Sequence, residues 1–584
     1  PITHEPCGDN GEYILTAPSG YNYLWSTGVT SQSITLIEPV PGTEFTCELN
    51  PSPSVDNACG SIELNTQIED YQCCSWSSNN TPVDLTNANS FGTVGYSTDW
   101  PSLFTDEHLY INGTFYVNDY LQFENCLVEF GPDAKIIVSP GVTFGDKGYS
   151  VFQPCDDSFM WDGVYDANPS ESNFATILFY HSKIYGAKSA INTEEHTDLE
   201  VNHTVFKNCH TALQLKDYNF SNTTKAVQRV KFVDSKIYGG NLNEPHLGAT
   251  HSIYGIKVYN SKNLLLGSQN TSFNTNEPHD LCEFKNLKTG IYSHKSFLYV
   301  KCSSFTDPYT NNAKGMRSIS TSTSSWNSCA LRTFKCSFKD YRYGIYQTGP
   351  RAQNLQVFAN RFYNNFKGID ARCMSLYFGT GGNYVRRSHF YKNDYAIRIS
   401  GFNAYSPVTI EGNYFKNTER KSIWVRNILS YFSSYYSIGV NVKNNTIFYD
   451  QPVNNYSTTG ISLANCNGVS GPRIRHNTLT YYARPNQVNS KKYKGIEVKD
   501  VMNGYVIDND IVDWGDGIRV TGHDEMLKFK CNEFKDCYKG FRFAADLPTG
   551  ESYISQQGYY WRPHNNYFYQ GVEERFSGEL SFPF

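Results

Sequence analysis

Side chains capable of chemistry crowd most densely at 508–524, where Asp508, Asp510, Asp513, Asp516, His523 and Asp524 fall within less than one sequence repeat. Clustered carboxylates can act on a glycosidic bond as an acid and base pair, or hold calcium beside a basic residue that takes a sugar α-proton. A second arrangement is the tetrapeptide Asn-Glu-Pro-His, present at 243–246 and again at 276–279. Stacked one repeat apart, Glu244, His246, Glu277 and His279 would converge, with His251 as a further donor, in a set suited to zinc or a similar ion. The plainer reading is a duplicated turn, with proline fixing φ and the Glu and His in solvent. No cofactor is expected, and a structural metal ion at this tetrapeptide is the one alternative. Aromatic runs at 431–436 and 559–561 offer faces for sugar stacking, or for contact between rungs or subunits. The chain carries no P-loop, dinucleotide fingerprint, Gly-x-Ser-x-Gly elbow or His-Glu-x-x-His.

These groups must be positioned by a repeat. Its grammar is plainest at 355–369, LQVFANRFYNNFKGI: an alternating strand, Asn-x-Phe, a polar corner, then Gly-Ile opening the next strand. The Asn-x-apolar step recurs at Asn360, Asn413, Asn445, Asn477, Asn509, Asn532 and Asn566, and from Asn413 to Asn509 the interval is 32 residues each time. The Gly-apolar step recurs at Gly255, Gly290, Gly315, Gly344, Gly368, Gly460, Gly495, Gly517 and Gly540. A period of this size means a stacked solenoid. Apolar residues alternate over only a few positions and show no 3.6-residue periodicity, so helical repeats do not fit. Each period reads as two or three short strands that bury Ile, Val, Leu and Phe only by stacking on the next. Glycine is expected at corners needing positive φ, asparagine likewise, with corner amides bonded from rung to rung.

The fold class that follows is all-β. A right-handed parallel β-helix is expected over 106–571, preceded by a small β-sandwich at 1–68 around Trp25, where Cys7, Cys47 and Cys59 could supply one disulfide. Residues 69–105, with the vicinal Cys73-Cys74, read as a linker or irregular cap, and 572–584 as a tail. At ~4.8 Å per rung, about 14 to 16 rungs make a rod of about 70 Å. Loop insertions are expected at 217–228, 240–252, 308–328 and 426–458.

A net charge of −6 with 18% charged residues and dispersed bases excludes a nucleic-acid groove or an anionic-membrane patch. No apolar run is long enough to span a membrane. Sixteen cysteines without zinc-finger spacing point to an oxidising, extracellular location. Cys302 with Cys336, and Cys531 with Cys537, are candidate pairs, buried thiols acting as small fillers being the alternative. The opening Pro-Ile-Thr-His, without an initiator Met, reads as a mature form freed of its secretory signal.

Three resemblances add to this. The stretch Tyr23-Leu-Trp-Ser-Thr-Gly-Val-Thr-Ser-Gln-Ser-Ile resembles the signature of immunoglobulin/PKD-like modules in secreted and surface proteins of the Bacteroidota. FGPDAKIIVSPGVTF, followed by MWDGV at 160–164, resembles the opening coils of β-helix proteins from the same group. That family implies type IX secretion, although no C-terminal sorting domain is recognisable. The 508–524 cluster resembles the Asp, Asp-Asp and Gly-His-Gly pattern of polygalacturonases. Those motifs spread over several rungs, however, and the second Gly is missing after His523. Asp508 and Asp510 also stand where other repeats carry corner Asn, which a structural ladder explains.

The expected function is therefore a non-enzymatic extracellular rod, part of a cell-surface adhesin or a hook-like appendage for attachment or predation. Its expected partners are copies of itself, as a homo-oligomer or filament, and a cell-surface or glycan ligand. The alternative is a polysaccharide lyase or glycoside hydrolase acting on an acidic glycan. A non-catalytic carbohydrate-binding protein is the third reading, and it predicts a line of aromatics along one face.

Overall fold

The computed structural model describes residues 2–8, 12–19, 21–37, 43–51, 62–67, 83–85, 90–91, 102–167, 173–219, 229–267, 282–307, 314–319, 329–349, 353–373, 383–401, 408–429, 439–451, 457–467, 471–482, 492–524, 526–544, 553–554, 565–569, 572 and 574–577. From residue 83 onward nearly every pairing is parallel, and each turn of the coil gives one strand to each of three sheets. Sheet I runs from Val83–Asp84 to Tyr567–Phe568 and sheet II from Ser90–Phe91 to Glu574–Ser577. Sheet III is a 6-stranded stack from Leu103–Thr105 to Val230–Val233, followed by a 10-stranded stack from Leu264–Gly267 to Lys528–Lys530. This is the right-handed parallel β-helix that the repeat predicts.

Registers align like with like. Phe338, Phe362, Phe390 and Phe415 follow one another on sheet I, and their rings stack at 4.9, 4.6 and 4.9 Å between centroids. Spacings this close to the strand repeat of ~4.8 Å show that the hydrogen-bond ladder sets the ring separation.

The described corners between sheets III and I are each made by one residue in the left-handed region. Between sheets III and I this residue is Asn444, His476, Asp508 and Cys531 in successive rungs, with φ of 55°, 53°, 52° and 50°. The residue after it points inward and forms the ladder. Asn477 accepts N–H bonds on its Oδ1 from the Asn445 backbone (3.0 Å) and Asn445 Nδ2 (2.9 Å). It donates through Nδ2 to Asn509 Oδ1 at 2.9 Å and to the carbonyls of Val442 and Arg475. The column continues through Asn532 to Asn566. Positive φ and ladder duty thus fall on neighbouring residues. The ladder member in its rung is Asn509; Asp508 is the corner and Asp510 faces out, which corrects the placing of both acids on the ladder.

The repeating glycine has a different cause from the one expected. Gly344 and Gly368 are absent from the positive-φ residues. A Cβ on Gly368 would stand 2.6 Å from the Ala396 carbonyl oxygen and 3.1 Å from the Phe390 ring. Close approach of sheet II to the next rung and to the sheet I phenylalanines selects glycine here.

The N-terminal strands pair antiparallel in two three-stranded sheets, Thr3–Gly8, Glu12–Thr16 and Ser33–Ile37 in one, Tyr21–Trp25, Glu44–Pro51 and Ile62–Gln67 in the other. Leu15, Trp25, Ile34, Cys47 and Leu49 form their own small core. The coil begins inside the stretch read as a linker, since Val83–Asp84 and Leu103–Thr105 already pair parallel with the following rung. It also runs past residue 571 into Glu574–Ser577.

Cys302, Cys336, Cys531 and Cys537 are all free, as is buried Cys47, so none of these forms the expected disulfide. Cys336 and Cys537 point into the core, and burial pushes both thiols up to about 12. Cys155 is disulfide-bonded. The side chain of Cys7, the residues Cys59, Cys73 and Cys74, and the insertions at 220–228, 308–313 and 320–328 lie outside what is described, as do both aromatic runs.

Candidate functional site

The acidic cluster is spread round one rung. Asp508, at the III–I corner, has Oδ2 3.7 Å from His476 Nδ1 of the preceding rung. Asp510 faces out from sheet I between Thr478 and Glu533, and burial together with Glu533 raises its pKa. Asp513 is the left-handed residue of the I–II corner. Asp516 lies on sheet II, fully covered, with Arg542 Nη1 3.4 Å from its Oδ2. His523–Asp524 is a short strand at the II–III corner. Asp524 is buried, takes the Val501 N–H at 2.7 Å, and is pushed up to about 8 by burial. One substrate chain meets one side of the coil, so these six are not brought together.

Of the two tetrapeptides, 276–279 lies outside the described residues, and with it Glu277 and His279. Glu244 and His246 belong to a hairpin, Asn241–His246 with Ala249–His251, that folds back toward earlier rungs; Asn243 Nδ2 donates to the Phe159 carbonyl at 3.1 Å. The hairpin completes a cluster at the I–II corner. Lys188 Nζ contacts Asp133 and lies 3.7 Å from Asp162 and 3.6 Å from Glu244. The His246 ring meets His210 edge-on at 4.9 Å, and burial lowers both histidines, His210 to about 4. His251 contacts Asn241 and the Asn286 carbonyl instead. Among the described residues no group of three or more His, Cys, Asp or Glu is arranged to hold a metal ion. Beside this cluster a cleft of about 470 Å³ is lined by Tyr116, Lys135, Asp162, Tyr165 and Asp166.

A longer feature, missed by the sequence reading, is the outer face of sheet II after Tyr343. Register places Tyr346, Asp370, Arg398, Trp424, Ser462, Glu497, Arg519 and Arg542 in one row. A flanking row holds Tyr343, Lys367, Tyr395, Lys421, Thr459, Lys494, Asp516 and Lys539. Across the face from it lie Arg372, Ser400, Arg426, Ala464 and Lys499. Each acid here is surrounded by more than one base. Asp370 takes Lys367 Nζ at 3.1 Å and Arg372 Nη2 at 2.9 Å, with Arg398 at 3.7 Å. Glu497 takes Lys494 Nζ at 2.5 Å and Lys421 Nζ at 3.3 Å. Burial alone would push Glu497 up, but Lys421 and Lys494 together hold it at about 2.

After these pairings the face keeps a surplus of positive charge, in a chain whose net charge is −6. It is recessed: the side chains of Arg398, Lys494 and Arg542 are 13%, 13% and 19% exposed. Trp424 anchors it, stacked on Tyr395 at 5.7 Å, with Arg398, Arg426 and Lys421 about its ring at 4.5, 4.9 and 5.0 Å. The Nε donors of Arg398, Arg426 and Arg519 are buried without a hydrogen-bond acceptor among the described residues. Buried unsatisfied donors on a cationic face are an arrangement that an anionic ligand completes.

No known protein family matches the chain, and no curated protein matches it. Among solved structures it is similar to a periplasmic alginate epimerase, at 9% identity over 77% of this chain and 80% of that one, with a TM-score of 0.22. A mannuronic-acid-specific polysaccharide family 6 lyase from human gut microbiota is similar at 11% identity, 76% and 87% coverage and a TM-score of 0.18. A family 28 exopolygalacturonase of Yersinia enterocolitica gives 8% identity, 96% and 99% coverage and a TM-score of 0.15.

Proposed function

We propose that the chain is an extracellular β-helix that holds an acidic polysaccharide on the outer face of sheet II. The observation that carries this reading is the recessed surplus of Lys and Arg around Trp424, on a protein that is otherwise acidic. Guanidinium groups bind carboxylates in a planar, two-pronged geometry, and aromatic rings stack on sugar faces. In this reading the rigid coil is a non-enzymatic adhesive element of a secreted or surface-attached assembly, with an immunoglobulin-like module at its N-terminus. Copies associate through the remaining surface, and export follows the type IX route of the proteins it resembles.

Affinity electrophoresis through gels containing alginate, polygalacturonate or hyaluronan, with dextran as the neutral control, tests the reading. Retardation by acidic glycans, relieved by salt, is the expected result. Equal migration in all gels would remove it.

A second reading, cleavage of the same glycan by β-elimination, is favoured by one observation. Burial holds the Lys367 and Lys494 ammonium groups below the ordinary lysine range, against the opposing pull of Asp370 and Glu497. A lysine so placed can take the proton beside a carboxylate that neighbouring arginines neutralise. Release of ultraviolet-absorbing unsaturated uronate from the same polysaccharides would establish it, and its absence leaves binding alone.

A further inference from the structure

Much of the positive charge on sheet II is answered by acids of the face itself. Asp370 takes Lys367 and Arg372, with Arg398 Nε at 3.7 Å. Glu497 takes Lys494 and Lys421, and Ser462 Oγ also donates to it at 3.2 Å. At the I–II corner Asp394 has Arg420 Nε 3.7 Å away. Arg426 is different. It stands at the opposite edge of the sheet, between Ser400 and Ala464 in register, and no acid pairs with it among the described residues.

The excess is therefore local to Trp424. Arg398, from the preceding rung, lies 4.5 Å from its ring centre, and Arg426, two residues along its own strand, lies 4.9 Å away. Two guanidinium groups held to one indole repel each other, and an anion between them relieves this. Burial keeps Arg398 below the ordinary arginine range, and the Arg426 charge adds to that effect against the pull of Asp370. The rung after Trp424 carries only small side chains: Thr459, Ser462 next to Trp424, and Ala464 next to Arg426. Larger ones return at Lys494, Glu497 and Lys499, two strands of ~4.8 Å beyond Trp424, so this rung is recessed. Lys421 covers one end of the recess, reaching Ser462 Oγ at 3.0 Å and Glu497 at 3.3 Å. Thr459 and Ser462 are buried there, whereas Ala464, at the Arg426 end, is partly exposed.

We infer that Trp424, Arg426 and the recess at Ala464 form one seat for a single uronic acid residue, its ring beside the indole and its carboxylate on the Arg426 guanidinium. Arg398 adds its field and holds the indole from the other rung. Arg426 is then the residue that selects for charge. The seat occurs once. Asp370 and Glu497 stand two rungs to either side of Trp424 in the central row, each already enclosed by bases, so the arrangement does not repeat along the coil. This inference rests on the proposed function and adds the unit recognised and the side chain that recognises its carboxylate.

Calorimetry with the uronate disaccharides of alginate, polygalacturonate and hyaluronan, each as free acid and as methyl ester, tests it. Esterification removes the charge and keeps the ring. The best-bound acid should bind about tenfold more tightly than its ester. Arg426→Gln should abolish that preference while leaving ester affinity within about twofold. Trp424→Ala should weaken acid and ester alike, about fivefold. Lys257→Gln removes the same charge from the early rungs of the sheet and should change neither. The ratio of acid to ester is read within each variant, and an unaltered thermal midpoint excludes misfolding. Three results would each overturn the seat: acid preference surviving Arg426→Gln, an equal loss from Lys257→Gln, or polysaccharide retention without disaccharide binding. Acidic-glycan binding by the face as a whole would then still stand. Failure of every acidic polysaccharide in the gels would overturn the binding reading itself.

Discussion

The outer face of sheet II before Tyr292 and the same face after Tyr343 are built on one scaffold but present different chemistry. In the earlier rungs the central row reads Tyr116, Ile137, Tyr165, Asn192, Gln214 and Lys257, with one base among six. Gln214 Nε2 donates to Asn192 Oδ1 at 3.0 Å, so these amides satisfy each other. In the later rungs the row is Tyr346, Asp370, Arg398, Trp424, Ser462, Glu497, Arg519 and Arg542, with guanidinium donors left over. The interior differs less: at the III–I corner the early rungs use Ser150, Ser182, Thr204 and Ser235, and the late rungs mostly use Asn. Serine serves the same end, as when Ser235 Oγ accepts the Thr204 N–H at 3.1 Å. Interior positions are interchangeable within the demands of stacking, whereas the outer face is not, so function is read from the face.

The largest expected effect breaks the interior half of this comparison. Asn477→Ala leaves the Asn445 backbone N–H without its acceptor, takes from Asn445 Nδ2 one acceptor beside the Ile410 and Lys443 carbonyls, and removes three donated bonds, in a fully buried site. It should cost about 3–4 kcal/mol in urea unfolding. Ser182→Ala, in the hydroxyl version of the ladder, should cost about 1–2 kcal/mol. Equal losses would mean that the two ladders are not equivalent scaffolds differing in bond number. The face comes next. Arg398→Ala with Arg519→Ala should weaken alginate binding about 30-fold, or ~2 kcal/mol. Asn192→Ala with Gln214→Ala should weaken it less than about twofold. Similar losses from both pairs would erase the distinction between the two halves.

The coil was legible in the sequence because stacking writes itself into the chain: every rung must return an inward apolar set and a ladder residue, and most of the later rungs a close-approach glycine. The cause assigned to that glycine was wrong, because contact between rungs leaves the same mark as a left-handed corner. The cationic face was not legible. Lys367, Lys421, Lys494 and Lys539 are separated by loops of unequal length, and only backbone pairing brings them into one row. A signal was nevertheless present. The flanking row is the residue just before each Gly-apolar step, so Lys367-Gly368, Lys494-Gly495 and Lys539-Gly540 mark it. The acids at 508–524 misled for the converse reason: neighbours in sequence travel round the coil, and proximity along the chain becomes separation in space.

Two buried acids give the smallest and sharpest test of the contrast. Asp146, in the early rungs, is fully buried and accepts four bonds, from the Gly148 N–H, the Ser150 N–H and Oγ, and Ser182 Oγ. Asp524, in the late rungs, is equally buried but accepts the Val501 N–H, and its Oδ2 has no hydrogen-bond partner among the described residues. Burial raises both, Asp524 to about 8. A carboxyl whose folded pKa lies above its unfolded value favours the fold fully at pH below the ordinary carboxylate range. That contribution is lost as pH rises toward the folded value, here between about 4 and 8. Asp524→Asn removes the titration and should stabilise the protein by about 2 kcal/mol at pH 8, with no gain at pH 4. Asp146→Asn turns one acceptor into a donor facing hydroxyl and N–H groups, and should destabilise by about 1–2 kcal/mol at both pH values. Thermal unfolding of the two variants across this range decides the matter. A gain for Asp524→Asn that persists at pH 4 would show a packing effect, and the partnered and half-partnered acids would then not differ in the way their hydrogen bonds imply.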